Sequence, residues 1–169
     1  DIERNSTTVF AATTNGLWQS TDEGATWSLN NVQTLDQSVD ALHVSNNEIL
    51  ALSVEFNPNY DVAHHFYRST DGGGTWAHHE LAYALSEDEI EMWRDGAIIW
   101  ITDRYDNCFK SLDNGVTWIE VVFPQGFYSN FIAAHGDKIF VFGYYSTLRS
   151  EDGGINWIET ADTIYANDV

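Results

Sequence analysis

This chain of 169 residues has little cysteine, proline, methionine or positive charge: one Cys, two Pro, one Met and seven Lys plus Arg. With Cys108 alone no internal disulfide can form. Cys108 lies in the run NCFKS, where a strand is predicted, and no histidine is arranged beside it in the sequence to make it a nucleophile. Against the seven basic residues stand 26 acidic ones, a formal net charge of −19. Such a surface repels phosphate backbones and anionic headgroups, which argues against nucleic acid and against membrane insertion. The excess charge reads as a solvated coat. No apolar run approaches the roughly 18 residues of a membrane-spanning helix.

What is present suits a packed, β-rich protein. The chain is 43% hydrophobic and 14% aromatic, with seven tryptophans whose planar rings suit layered packing. At this length a folded chain buries about two-thirds of its unfolded surface, enough for a real core. It fits one domain, or a piece of a longer repeat array.

The dominant signal is a repeat. STDEGATW from Ser20, STDGGGTW from Ser69, SLDNGVTW from Ser111 and SEDGGINW from Ser150 follow one another at intervals of 49, 42 and 39 residues. Periods of this size indicate solenoids, propellers or arrays. Upstream of each copy lie two β-rich runs, such as EILALS and HFYRS or KIFVFG and TLRS. A third run follows the tryptophan, and a fourth (VDALHVS, IEMWRD, NFIAAH, TIYANDV) opens the next unit. Four strands per unit of about 42 residues is the signature of β-propeller blades. A helix is conceivable over LAYALSEDEIEMW, but the repeat register places a strand at its end.

The repeated segment sits between the third and fourth strands and must reverse the chain. Gly24, Gly74, Gly115 and Gly154 are read as one position with positive φ. Asp22, Asp71, Asp113 and Asp152 can accept hydrogen bonds from turn N–H groups. The hydroxyls of Ser20, Ser69, Ser111 and Ser150 can do the same, and Trp27, Trp76, Trp118 and Trp157 open the outer strand and cover the turn. The repetition follows from turn geometry, so these positions are expected to be structural.

Four copies of S-x-D-x-G-x-[TN]-W between paired strands resemble the Asp-box, or bacterial neuraminidase repeat, family over the whole chain. The resemblance implies an all-β fold of four four-stranded antiparallel propeller blades, at about 1–37, 38–84, 85–127 and 128–160, with 161–169 starting the next innermost strand. It also implies a secreted or cell-surface setting, with which the sequon Asn5-Ser6-Thr7 agrees. Propellers of this family usually have six or more blades. A closed four-bladed ring, a segment of a longer protein, and an open array completed by other copies through its strand edges all follow as readings, the last two favoured.

Functional residues are expected on the face carrying the loops between second and third strands and between blades. Tyr60, Asp61, Tyr105, Asp106, Phe127, Tyr128, Tyr144 and Tyr145 are the candidates, since aromatic planes beside carboxylates suit sugar rings and peptides alike. The partner is thus a glycan or a protein, and no cofactor is implied. Sialidases of the resembled family clamp a substrate carboxylate with three arginines. Of the five arginines here, Arg68 and Arg149 directly precede a repeat serine, which leaves too few for that triad. A carboxylate pair such as Asp61 and Asp106 can be drawn from 26 acids at will and carries no weight. No catalytic residue is therefore assigned. The reading is a non-catalytic recognition or assembly module, with a glycoside-hydrolase segment as the alternative. One candidate metal pair can be drawn from the hairpin AHHFYRSTDGGGTWAHHE, since pairing Ser69 with Thr75 sets His65 opposite His79, although polar residues on a solvated outer hairpin are the plainer reading. The acidic run Glu87-Asp88-Glu89 reads as solvated surface.

Overall fold

A computed structural model describes residues 1–30, 38–56, 62–82, 85, 90–103, 105, 107–125, 127, 129–143 and 146–160. Short runs rich in β-branched and aromatic residues, cut by Gly, Asn and Asp, fold into sixteen strands among these residues. The first sheet holds β1 (Ile2–Arg4), β2 (Val9–Thr13), β3 (Gly16–Ser20) and β4 (Ser28–Leu29). The second holds β5 (Ser38–Ser45), β6 (Glu48–Phe56), β7 (Val62–Ser69) and β8 (Ala77–Glu80). The third holds β9 (Glu91–Asp95), β10 (Ile98–Thr102), β11 (Cys108–Ser111) and β12 (Ile119–Glu120). The fourth holds β13 (Ser129–His135), β14 (Lys138–Gly143), β15 (Thr147–Ser150) and β16 (Ile158–Thr160). Each sheet runs in sequence order, and the strand pairs are antiparallel. No described residue is helical, and the chain enters β9 at Glu91, where the repeat register required a strand. The run TIYANDV lies outside the described residues.

Two compact units divide the chain, residues 1–93 and 94–169. In the first, Phe10 and Leu17 pack with Val39, Leu42, Val44, Ile49, Ala51 and Tyr67, joined by the half-buried Trp76. Strand β6 explains its own composition. Ile49, Leu50, Ala51 and Leu52 are all fully buried, so both faces of the strand are covered and apolar residues run without alternation. Each large side chain of this kind contributes about 1.5–3 kcal/mol by leaving water. In the second unit Ile99, Trp100 and Ile101 of β10 repeat the pattern, whereas β14 alternates, with Ile139 and Val141 buried and Phe140 exposed.

Polar latches join successive sheets at the period of the repeat. The Asp1 carboxylate accepts the Leu42 N–H at 3.3 Å, and that of Glu3 accepts the Val44 N–H. The Asn30 side chain donates to the Gly73 carbonyl at 3.3 Å and to Gln19 Oε1 at 3.2 Å. In the second unit Lys110 Nζ donates to the Gly153 carbonyl at 2.7 Å, and the Asp95 carboxylate meets the Gly136 N–H. The sequence positions joined lie 41 to 43 residues apart, one repeat each.

Candidate functional site

The hairpin between the third and fourth strands is the same object four times. Gln19 pairs with Ser28, Arg68 with Ala77, Lys110 with Ile119 and Arg149 with Ile158. The residue before each serine thus faces the residue after each tryptophan, and the eight-letter segment is the whole connection. Its serine hydroxyl donates to the aspartate, at 2.8 Å from Ser20 to Asp22, and accepts the N–H four residues on, at 2.8 Å from Gly24. The aspartate then receives both the N–H and the hydroxyl of Thr26, at 2.8 and 2.6 Å. Ser69, Ser111 and Ser150 repeat the first pair of bonds, and Asp71 and Asp113 the second. In the fourth copy Asn156 replaces the threonine and supplies the same two donors to Asp152, its amide Nδ2 at 2.7 Å.

These donors hold each carboxyl well below the ordinary value of 3.8, at about 2, even though the groups are solvent-exposed. The leading contribution is the Thr26 hydroxyl for Asp22, the Thr75 N–H for Asp71, the Thr117 hydroxyl for Asp113 and the Asn156 N–H for Asp152. A carboxylate so engaged is a poor proton donor or acceptor at neutral pH.

The glycine assignment made from sequence needs correction here. The glycine equivalent to Gly24, Gly115 and Gly154 is Gly73, not Gly74. Gly73 has φ +93° and gives its N–H to Ser69 at 2.8 Å, while Gly74 is not in the left-handed region. Three consecutive glycines hid the register. The tryptophans also differ among themselves. Trp27, Trp76 and Trp118 donate their indole N–H to the glycine carbonyl of their own turn, whereas Trp157 donates to the Val122 carbonyl at 3.0 Å and packs edge-on against Phe123.

The expected histidine pair is also displaced by one residue. His65 lies opposite Glu80, and His79 opposite Phe66, so His65 and His79 occupy opposite faces of the hairpin. His65 instead meets His78, whose Nε2 is 3.0 Å from His65 Nδ1. Burial, and then the charges of His65 and His79, push the His78 pKa down. Among the described residues no group of three or more His, Cys, Asp and Glu side chains is placed to hold a metal ion. Cys108 is fully buried, and burial pushes its thiol up to about 12, which makes it inert as a nucleophile.

Of the residues expected on the loop face, Tyr105 and Phe127 are described; Tyr60, Asp61, Asp106, Tyr128, Tyr144 and Tyr145 lie outside the described residues, as does the run Glu87-Asp88-Glu89. Tyr105 is 65% exposed. Its loop is pinned from within by the buried Asp103, whose Oδ1 accepts the N–H of Tyr105 at 2.9 Å and of Asn107 at 3.1 Å, while Oδ2 accepts the Asn107 amide at 2.7 Å. Sequence reasoning missed Asp103, although Asp-x-x-x-Asn at a strand end signals an aspartate-capped turn. Phe127 is half-buried and packs its ring against Phe123, 6.5 Å away between centroids.

No family model matches the chain, and no curated protein matches it by sequence. Solved structures do. A GH74 xyloglucanase from Xanthomonas campestris aligns over 93% of this chain and 29% of its own, with a TM-score of 0.64 and 17% identity. YCF48, in a structure bound to D1 peptide, aligns over 94% of this chain and 53% of its own, with a TM-score of 0.59 and 16% identity. The extracellular domain of the one-component-system protein BT4673 from B. thetaiotaomicron aligns over 99% of this chain and 22% of its own, with a TM-score of 0.60 and 9% identity. Identities this low establish the fold, and the fold is that of β-propeller blades. The chain spans 29% of the xyloglucanase and 53% of YCF48.

Proposed function

We propose that this chain is a recognition or assembly module of the Asp-box propeller type, without catalytic chemistry of its own, secreted or displayed at a cell surface. Its partner is a peptide or glycan held on the face that carries Tyr105. The observation that supports this most is the Tyr105 loop. A large amphipathic ring is exposed on a backbone already fixed by Asp103, so binding there forfeits little conformational freedom. The repeated hairpins support the non-catalytic half of the reading, because their serines and aspartates are engaged within their own turns. YCF48, seen with a peptide, favours a protein partner.

A second reading follows from the xyloglucanase likeness: a segment of a glycoside hydrolase whose catalytic residues lie partly outside this chain. Titration of the chain with xyloglucan oligosaccharides and with a peptide library, each repeated on Tyr105→Ala, separates the two. Saturable peptide binding lost in the variant supports recognition. Oligosaccharide binding with turnover would replace it by the hydrolase reading. Light scattering on the 19.1 kDa chain tests assembly directly, since open strand edges that pair give multiples of that mass.

A further inference from the structure

One face of the β6–β7–β8 hairpins carries an arrangement that neither the repeat nor the loop face uses. Glu55 Oε2 is 3.1 Å from His65 Nε2, and His65 Nδ1 is 3.0 Å from His78 Nε2. The His78 ring lies flat on Tyr67, with centroids 4.7 Å apart and planes 20° from parallel. The His65 side chain is only 13% exposed, so its ring is held rather than waving in solvent.

The order of atoms decides the chemistry. In the tautomer whose Nε2–H donates to Glu55, Nδ1 is left with its lone pair toward His78. A histidine that ligates a metal characteristically has this form, with its far nitrogen donating to a carboxylate. We propose that His65 Nδ1 and His78 Nε2 are a chelating pair for a divalent transition-metal ion, with Glu55 as the carboxylate that orients His65. Zinc–imidazole bonds of about 2.0–2.1 Å at a tetrahedral centre separate two nitrogens by about 3.3 Å, so the rings part by a few tenths of an ångström and each turns to aim its lone pair off the N···N line at the ion. Neutral His78 carries its proton on Nε2 in the metal-free pair and moves it to Nδ1 through solvent when the ion enters. No net proton is released. The Tyr67 stack and the Glu55 bond fix both rings beforehand. Water fills the remaining positions, because no third protein ligand stands among the described residues. The site is therefore weaker than a four-ligand structural centre and prefers copper(II) over zinc, while magnesium and calcium, which want oxygen, stay away.

The test is titration of the intact chain with zinc chloride and copper sulfate at neutral pH, read by calorimetry and by ring-nitrogen NMR. Saturation at one ion per chain is expected, at submillimolar metal, with His65 Nδ1 and His78 Nε2 the nitrogens that shift. His78→Ala, which also removes the ring stacked on Tyr67, should weaken binding about tenfold or more, and Glu55→Gln by about tenfold. His79→Ala, on the opposite face, should change it less than twofold. The proposal fails if neither metal saturates, if His65 binds through Nε2, or if His79→Ala costs as much as His78→Ala. The NMR readout needs no variant, so a substitution that unfolds the chain leaves the answer intact.

Discussion

The Ser111 hydroxyl oxygen lies 2.7 Å from the Gly115 amide nitrogen, a contact closed to solvent. The same hydroxyl donates to Asp113 at 2.9 Å, so one side-chain atom ties both ends of the turn together. Ser111→Ala leaves the Gly115 N–H buried with no acceptor, which should cost about 1–3 kcal/mol. Urea unfolding of variant and parent measures it, and a loss below about 0.5 kcal/mol would contradict a structural role for the hydroxyl.

Gly73 and Gly74 are adjacent and should behave differently. A β-carbon on Gly73 would sit 2.9 Å from Asn30 Nδ2 in a backbone at φ +93°, whereas on Gly74 it would meet Asp71 Oδ2 at 3.2 Å with no left-handed strain. Gly73→Ala should therefore lose about 1–3 kcal/mol. Gly74→Ala should change stability by less than about 1 kcal/mol. Thermal melts of the two variants side by side decide this, and equal losses would refute the assignment of Gly73 to the turn.

Acid should open these turns in a defined window. Asp22, Asp71, Asp113 and Asp152 titrate at about 2 in the folded chain, against 3.8 for the ordinary carboxyl. The unfolded chain takes up protons first, so the stabilisation is complete above about pH 4 and disappears as pH falls toward about 2. Circular dichroism across this range should show unfolding, and Asp113→Asn, which cannot ionise, should flatten the stability–pH slope there. A slope unchanged by the substitution would rule out this linkage.

Asp40 is expected to act in the opposite sense. It sits at the irregularity in β5 between Val39 and Ala41, with Oδ1 accepting from Ser38 at 2.8 Å and Oδ2 buried with no hydrogen bond from the described residues. Burial pushes its pKa up. Its folded form resists losing the proton, so ionisation penalises the fold once pH exceeds the ordinary carboxyl value. Asp40→Asn should then raise the melting temperature slightly at pH 7 and leave it unchanged at pH 3. A destabilised variant at pH 7 would show that the carboxylate serves the fold.

Much of the architecture could be read from the letters alone. EILALS announces a strand buried on both faces, KIFVFG a strand buried on one, and Gly, Asn and Asp mark the turns. Register was harder, because strand pairing depends on the length of the loop rather than on the strands. The whole of Ser69–Trp76 forms the connection, and taking Ser69 and Thr75 as a pair shortens it enough to move His79 onto the wrong face. The carboxylates of Asp1, Glu3 and Asp95 give no local signal at all. They bond to backbone N–H groups one repeat away, and any side chain of the 26 acids could have been chosen. Asp103 was legible in principle, since Asn107 follows at turn spacing.

The latches described above have a consequence for how such chains grow. Asn30 reaches Gly73, and Lys110 reaches Gly153, each across 43 positions. Copying one whole unit in tandem thus copies a donor along with the carbonyl it will meet in its neighbour. Duplication by full periods preserves these spacings, whereas an insertion between donor and carbonyl changes them. Lengthening by units is the cheap evolutionary step for this architecture, and variation in length is free to collect in the loops.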